Sequence, residues 1–231
     1  GIDAAYKLAI LASLAFHTPV RPDEVYREGI SRLQPKDFRY AAELGYAIKL
    51  LAIAKERENT LEARVHPAFT PLESQLATVD GVYNAIQIEG DLVGTLVFYG
   101  RGAGGRPTSS TVIADVLTIA HSIAMGGTIR PRMELGRRIP VIPMDEVSTR
   151  YYFRLSANDE PGVLAQISRV LGDHRISISS VIQKELDPEH EKATIVIMTH
   201  PSVEQNVQTA VSELNALPLV DSVSSVVRVE H

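Results

Sequence analysis

The stretch Tyr151-Tyr-Phe-Arg-Leu-Ser-Ala-Asn-Asp-Glu-Pro-Gly-Val-Leu164 changes period within a few residues. Arg150 to Ser156 alternates as a β-strand does, and from Pro161 the apolar residues recur at helical spacing to His174. Pro161 suits a helix start, where its missing N–H costs nothing, and Gly162 lets a backbone or ligand approach closely. Downstream, Ile176 to Gln183 and Ala193 to Thr199 read as strands around the turn Asp187-Pro188. Val203 to Leu217 reads as a helix, and Leu219 to Val229 as a last strand.

The order strand, helix, strand, strand, helix, strand is the split-βαβ, ferredoxin-like arrangement. The predicted fold class is therefore α+β, with a βαββαβ unit over residues 149–231. Ahead of it, Gly126 to Pro143 carries three glycines and three prolines among Arg130, Arg132, Arg137 and Arg138, the texture of a solvated linker. The boundaries are accordingly 1–130, a linker at 131–148, and 149–231.

In the N-terminal part, Asp3 to Phe16 is helical, with Leu8, Leu11, Ala12 and Ala15 as its apolar stripe. Gly29 to Leu33 reads as a short extended piece, and Pro35 starts a helix that Gly45 ends as a left-handed cap. Four strand-like runs follow: Tyr46 to Ala54, Thr60 to His66, Val82 to Glu89 and Leu92 to Tyr99. Gly90-Asp91 joins the last two as a tight turn. A mixed or antiparallel sheet is expected, with a helix from Pro107 to about Met125.

The chain has 231 residues and a formal charge of −5, with 45% hydrophobic and 22% charged residues. This is an ordinary globular composition, and the mild acidity argues against a nucleic-acid binder. The absence of Cys removes disulfides, thiolate metal sites and thiol catalysis. The histidines at 17, 66, 121, 174, 190, 200 and 231 show no ligand spacing, so no metal is expected. No apolar run reaches membrane-spanning length and no signal peptide is visible, so a cytoplasmic protein is expected. The sequence opens on Gly1, directly on a helical pattern, and an upstream segment is expected.

Three places carry candidate chemistry. Free N–H groups at a helix start favour an anion such as the carboxylate of a free amino acid, and Asn158 and Asp159 are placed to take its ammonium group. A capped helix start without a ligand is the plain alternative. Asp3 and Lys7 share a helix face at i, i+4, which is either a solvated ion pair or an acid–base group beside Ile10, Leu11 and Leu14. An ammonium against such an apolar wall would have a lowered pKa, suited to proton transfer. Gly100-Arg-Gly102-Ala-Gly-Gly105 has the spacing of a dinucleotide fingerprint. Proline, glycine and arginine follow its helix instead of a second parallel strand, so it is rejected as the main cofactor fold.

Two family resemblances follow from these residues. Asp159-Glu-Pro-Gly-Val-Leu164 in this topology, with Ile176-Ser-Ile-Ser-Ser-Val181, resembles the ACT domain, a small-molecule-sensing regulatory module. Gly1-Ile-Asp3-Ala-Ala-Tyr-Lys7 resembles the G-x-D-x-x-x-K signature of homoserine dehydrogenase, and three further blocks resemble the region after it. These are Gly29-Ile-Ser, Ala42-Glu-Leu-Gly45-Tyr-Ala-Ile-Lys49 and Gly100 to Thr108.

The resemblance implies a substrate-binding and dimerisation domain over 1–130, with Lys7 as proton donor and acceptor and Asp3 holding the substrate. Gly104 would approach an NADP or NAD bound mainly by a Rossmann domain upstream of Gly1. The ACT resemblance implies a free amino-acid effector, threonine expected, against Asn158, Asp159, Gly162, Val163 and Leu164. The implied reaction interconverts L-homoserine and L-aspartate 4-semialdehyde in threonine, methionine and isoleucine biosynthesis, in a homodimer or homotetramer. The competing reading is a non-catalytic amino-acid sensor on a dimerisation scaffold.

Overall fold

A computed structural model describes residues 1–127, 135–187 and 192–230 of the chain. The elements in order are α1 (Ile2–Phe16), β1 (Tyr26–Arg27), α2 (Pro35–Glu43), β2 (Tyr46–Arg57), β3 (Thr60–Pro71), β4 (Tyr83–Gly90), β5 (Gly94–Arg101) and α3 (Gly105–Ala124). They continue with β6 (Ser148–Asn158), α4 (Val163–Asp173), β7 (Ile178–Asp187), β8 (Lys192–Thr199), β9 (Ser202–Val203), α5 (Glu204–Leu214) and β10 (Val220–Val229). The architecture is mixed α+β. The predicted turn residue Pro188, and Arg130 and Arg132 of the predicted linker face, lie outside the described residues. No described helix is long and apolar enough to cross a membrane.

The chain forms two compact units, Gly1–Pro71 with Leu135–His231, and Leu72–Glu134. This partition differs from the boundaries drawn on composition, and the reason is a strand pairing remote in sequence. In the first unit the sheet runs β1-β3-β10-β6-β8-β7, with β2 also on β3 and β9 also on β6. The four strands β10-β6-β8-β7 are the antiparallel sheet of the βαββαβ unit. Its last strand then pairs parallel with β3, Arg228 opposite Ala68 and Val229 opposite Phe69. One sheet therefore passes through both sequence regions.

β3 explains how. Its β2 side is paired over all twelve residues, from Tyr46 opposite Pro71 to Arg57 opposite Thr60. Its other side takes β1 at Arg64 and Val65, then β10 at Ala68 and Phe69. The carbonyls of Val65 and Phe69 accept from Glu28 N–H and Glu230 N–H on that side. By strand alternation Pro67, which has no N–H, faces the same side, in the gap between the two partners. A proline thus sits inside a buried strand without leaving an amide unpaired.

The βαββαβ sheet is covered on both faces. Tyr151, Phe153, Leu155 and Ala157 point to α4 and α5 with Ile167, Leu171, Val207 and Leu214. On the opposite face Tyr152, Val196, Met198, Val227 and Val229 pack on Tyr40 and Ala41 of α2 and on Phe69. The rings of Phe69 and Tyr152 stack with centroids 4.5 Å apart.

Several local expectations shift. α1 buries Ala5, Leu8, Ala9 and Ala12 rather than the stripe through Leu11 and Ala15, which are exposed. Small side chains let the helix lie close on Leu61, Ala63 and Val65 of β3. The early extended piece is Tyr26–Arg27, not residues 29–33. The hairpin closes at Gly90 opposite Gly94, with Asp91, Leu92 and Val93 in the loop and Gly94 at φ +70°. A three-residue loop ending on a left-handed glycine preserves the twist of the flanking strands. α2 ends as expected, with Gly45 at φ +84°. α4 begins at Val163 after the Gly162 cap, so Pro161 precedes the helix instead of opening it.

Candidate functional site

On α1, Lys7 Nζ lies 2.9 Å from Asp3 Oδ2, with the two side chains 66% and 84% exposed. The pair stands on the side of the helix away from β3. Ile10 and Leu14 continue that side at helical spacing, and Ile2 and Tyr6 are beside it, all exposed. Within the chain, therefore, the amine and carboxylate lie on an open surface surrounded by uncovered apolar side chains. An exposed i, i+4 pair contributes only a few tenths of a kcal/mol to folding.

The second unit holds the glycine loop. Tyr83 and Tyr99 stack at 4.9 Å on the hairpin, and the Arg101 guanidinium lies 5.4 Å from the Tyr83 ring centroid. A Cβ on Gly102 would meet the Asn84 side-chain nitrogen at 1.7 Å, so this exposed side chain would have to swing aside to admit one. Gly104 caps α3 at φ +130°, a conformation only glycine adopts readily. β5 pairs with β4 alone, antiparallel, so the loop opens no dinucleotide-binding βαβ unit among the described residues.

The β6–α4 loop makes one side-chain hydrogen bond within itself and one to β7. Asn158 Nδ2 donates to Glu160 at 3.3 Å, and Asp159 accepts from Gln183 of β7 at 3.0 Å. Gly162 is left-handed at φ +92°. Val163 is buried in the core with Ile167, so only its backbone faces outward, whereas Leu164 is exposed.

Sequence reasoning missed the charged groups buried where β3 and β1 meet the βαββαβ unit. Arg228 is 4% exposed. It donates through Nε and Nη2 to Glu204 at 2.8 and 2.6 Å, and through Nη1 to Glu28 at 2.7 Å. Burial alone would raise the Glu204 carboxyl, but the Arg228 and Tyr151 hydrogen bonds hold it below the usual carboxylate range. Arg64 bridges Glu62 at 2.9 Å and Glu230 at 2.8 Å, and Lys55 also reaches Glu230 at 3.1 Å. Arg154 on β6 donates to Asp37 on α2 at 2.8 Å and to Gln34 at 3.0 Å. The alternation Leu61-Glu-Ala-Arg-Val-His66 reads as a strand with one core face and one wet face, and only the structure shows both faces buried.

His66 lies inside this network, its Nδ1 donating to the Pro67 carbonyl at 3.0 Å. Burial, reinforced by the Arg228 charge, pushes its pKa down to about 3. Below pH 6.5 the unfolded chain takes up a proton that the folded chain refuses, so stability falls as pH drops from about 6.5 toward 3. Urea midpoints should show a loss of about 1 kcal/mol at pH 5.5 relative to pH 7.5, absent in His66→Gln. An identical slope in that variant would assign the loss to other groups.

The two-sided βαββαβ module thus follows, along the chain, a helix that carries an amine–carboxylate pair on its open face. Residues 151–219 match the ACT domain model. Residues 1–117 match the homoserine dehydrogenase model, and the chain belongs to the homoserine dehydrogenase family. It is 39% identical to homoserine dehydrogenase of Neisseria gonorrhoeae and 42% identical to that of Helicobacter pylori, in each case over 100% of this chain and 54% of the relative. The crystal structure of a homoserine dehydrogenase from Thiobacillus denitrificans superposes with a TM-score of 0.90 at 42% identity, over all of this chain and 53% of that one. The chain thus spans about half the length of the relatives it matches.

Proposed function

We propose that the chain supplies the substrate-binding, oligomerising and regulatory half of an NAD(P)-dependent homoserine dehydrogenase. The reaction is the interconversion of L-homoserine and L-aspartate 4-semialdehyde, in threonine, methionine and isoleucine biosynthesis, and the setting is the cytoplasm. The observation that carries this reading is the Asp3–Lys7 pair on the uncovered side of α1, within the G-x-D-x-x-x-K motif. Its apolar surround is what the other half of the full-length protein would cover.

In this reading the Lys7 amine, in its unprotonated form, receives the hydroxyl proton of homoserine at Nζ and returns it in the reverse direction. Asp3 orients that amine and takes the substrate ammonium. The nicotinamide, when bound, is the hydride carrier. Gly104 lets the backbone before α3 approach the dinucleotide. Residues 1–130 and 149–231 are the two functional regions, with 131–148 joining them.

In the full-length protein, Lys7→Ala should lower kcat at least ~100-fold without changing oligomer size or melting temperature. Activity within a factor of two of the parent would remove Lys7 from the chemistry. The 231-residue chain by itself should show no NADPH-dependent reduction of aspartate semialdehyde.

The same reading includes a homodimer or homotetramer. No side chain of α3 is buried within the chain, and Val112, Ile113, Val116 and Leu117 lie open. On one face of the β4–β5 hairpin, Ile86 opposite Phe98 and Ile88 opposite Leu96 are exposed too. A two-stranded sheet is marginal alone, and apolar faces of this extent call for cover that a second copy supplies symmetrically. Threonine is the proposed effector, at the loop of Asn158, Asp159 and Gly162 with the Val163 backbone and the Leu164 side chain.

A further inference from the structure

We propose that Glu28 is a positioning residue for the Asp3–Lys7 pair: tied to Arg228 of β10, it seats the start of α1, which carries both groups. This rests on the function proposed above and gives a part in it to the residue directly before the Gly29-Ile-Ser block.

The tie is an ionic cluster shielded from solvent. Glu204 takes the Nε and Nη2 of Arg228 at 2.8 and 2.6 Å, and the third nitrogen, Nη1, donates to Glu28 Oε2 at 2.7 Å. Tyr26 closes the arrangement. Its hydroxyl donates to Glu28 Oε2 at 3.2 Å and accepts from Arg228 Nη2 at 3.3 Å, and the guanidinium lies 5.3 Å from its ring centroid. The side chains of Arg228 and Glu28 are 4% and 24% exposed, so these charge-assisted bonds are strong and directional. β1 itself has only two residues, both paired with β3, and so short a strand is held weakly by its ladder alone.

The backbone of the same segment bounds the start of α1. Val25 is buried in one cluster with Ala5, Leu8 and Ala9 of the helix. The Glu28 N–H donates to the Val65 carbonyl at 2.7 Å. A Cβ on Gly1 would stand 3.1 Å from Val65 Cγ1 and 3.4 Å from the Glu28 carbonyl oxygen. The helix therefore starts in the angle between β3 and Glu28, closely enough to leave little room for a side chain at its cap. The Gly1 carbonyl accepts from the Ala5 N–H at 2.9 Å, so what holds Gly1 holds the first helical turn. Asp3 stands in that turn and Lys7 in the next. Both side chains are exposed and paired with each other, so their placement follows the helix backbone. A shift of about 1 Å in a reacting group costs up to about 100-fold in rate.

The test compares Glu28→Ala and Glu28→Gln with the parent in the full-length protein. In both variants Arg228 keeps Glu204, so the buried cation is not stranded, and melting temperatures within about 3 °C of the parent would show that the fold holds. In Glu28→Ala the amides of Ala5, Tyr6 and Lys7 should exchange hydrogen about tenfold faster while those of Ala9 and Ala12 do not change. The KM for homoserine should rise and kcat should fall, together about tenfold in kcat/KM, with the KM for the nicotinamide cofactor unchanged. Glu28→Gln keeps an oxygen that accepts from Arg228 and should recover most of both effects. A fall in kcat with every KM unchanged and protection lost evenly along the chain would reduce Glu28 to a stabilising residue and overturn the proposal, as would unchanged exchange at residues 5–7. Faster local exchange with parental kinetics would overturn it too if Lys7→Ala is inactive. If Lys7→Ala is active, the same result strikes the proposed function and this role with it.

Discussion

Residues 149–231 expressed alone will not give a stable monomer comparable with the whole chain. The excised piece keeps the α4/α5 face of its sheet but loses the cover on the other. Tyr152, Val196, Met198, Val227 and Val229, all buried against α2 and Phe69, become exposed. At about 1.5–3 kcal/mol per large apolar side chain, the loss is near 10 kcal/mol, comparable with the whole stability of a small domain. Arg154 is parted from Asp37 and Arg228 from Glu28, and the β3 side of β10 is left open. Calorimetry and size-exclusion chromatography should show self-association, or a midpoint at least ~10 °C below that of the whole chain. A monomer melting cooperatively at the same temperature would mean that this second face needs no cover.

The second large effect belongs to Asp37, a fully buried carboxylate. Its Oδ1 accepts from Arg154 Nε at 2.8 Å and from Tyr152 Oη at 3.3 Å, and its Oδ2 accepts from Gln34 N–H at 2.9 Å. Asp37→Ala would strip the partner from a buried guanidinium and break the capping box of α2 at the same time. Removing one member of a buried pair costs about 3–5 kcal/mol, and a lost helix cap about 1 kcal/mol. Urea denaturation should show a drop of that order, with the slope unchanged. Combining Asp37→Ala with Arg154→Leu should recover part of it, because the uncompensated charge goes too. A single-variant loss below about 1 kcal/mol would show that water reaches the pair.

The element order of the βαββαβ unit was readable because each strand and helix announces its own period. Gly45 was readable because one backbone conformation demands one residue type. What local pattern does not contain is the partner of a strand remote in sequence. The β3–β10 pairing joins residues 68 and 228, and nothing in either segment names the other. The packed face of α1 was misread for a related reason. Hydrophobic patterning rewards the larger Leu11, whereas close approach to β3 selects Ala5, Ala9 and Ala12. The Asp3–Lys7 pair was legible as a motif and its ion pairing as i, i+4 spacing. Arg228, Glu204 and Glu28 gave no local sign, since a buried salt network is scattered through the chain and assembles only on folding.

The order of strands in space also sets an order in time. β10 is the last strand in the sequence, yet it occupies an interior position between β3 and β6. On the ribosome, the long strand near residue 65 must therefore wait, half-paired, until roughly 160 later residues have been synthesised, as β10 begins at Val220. Until then it is a sticky rim in a nascent chain. Production of this polypeptide should depend on chaperone supply and on translation speed, and loss of β10 should be far more damaging than its distance from Lys7 suggests.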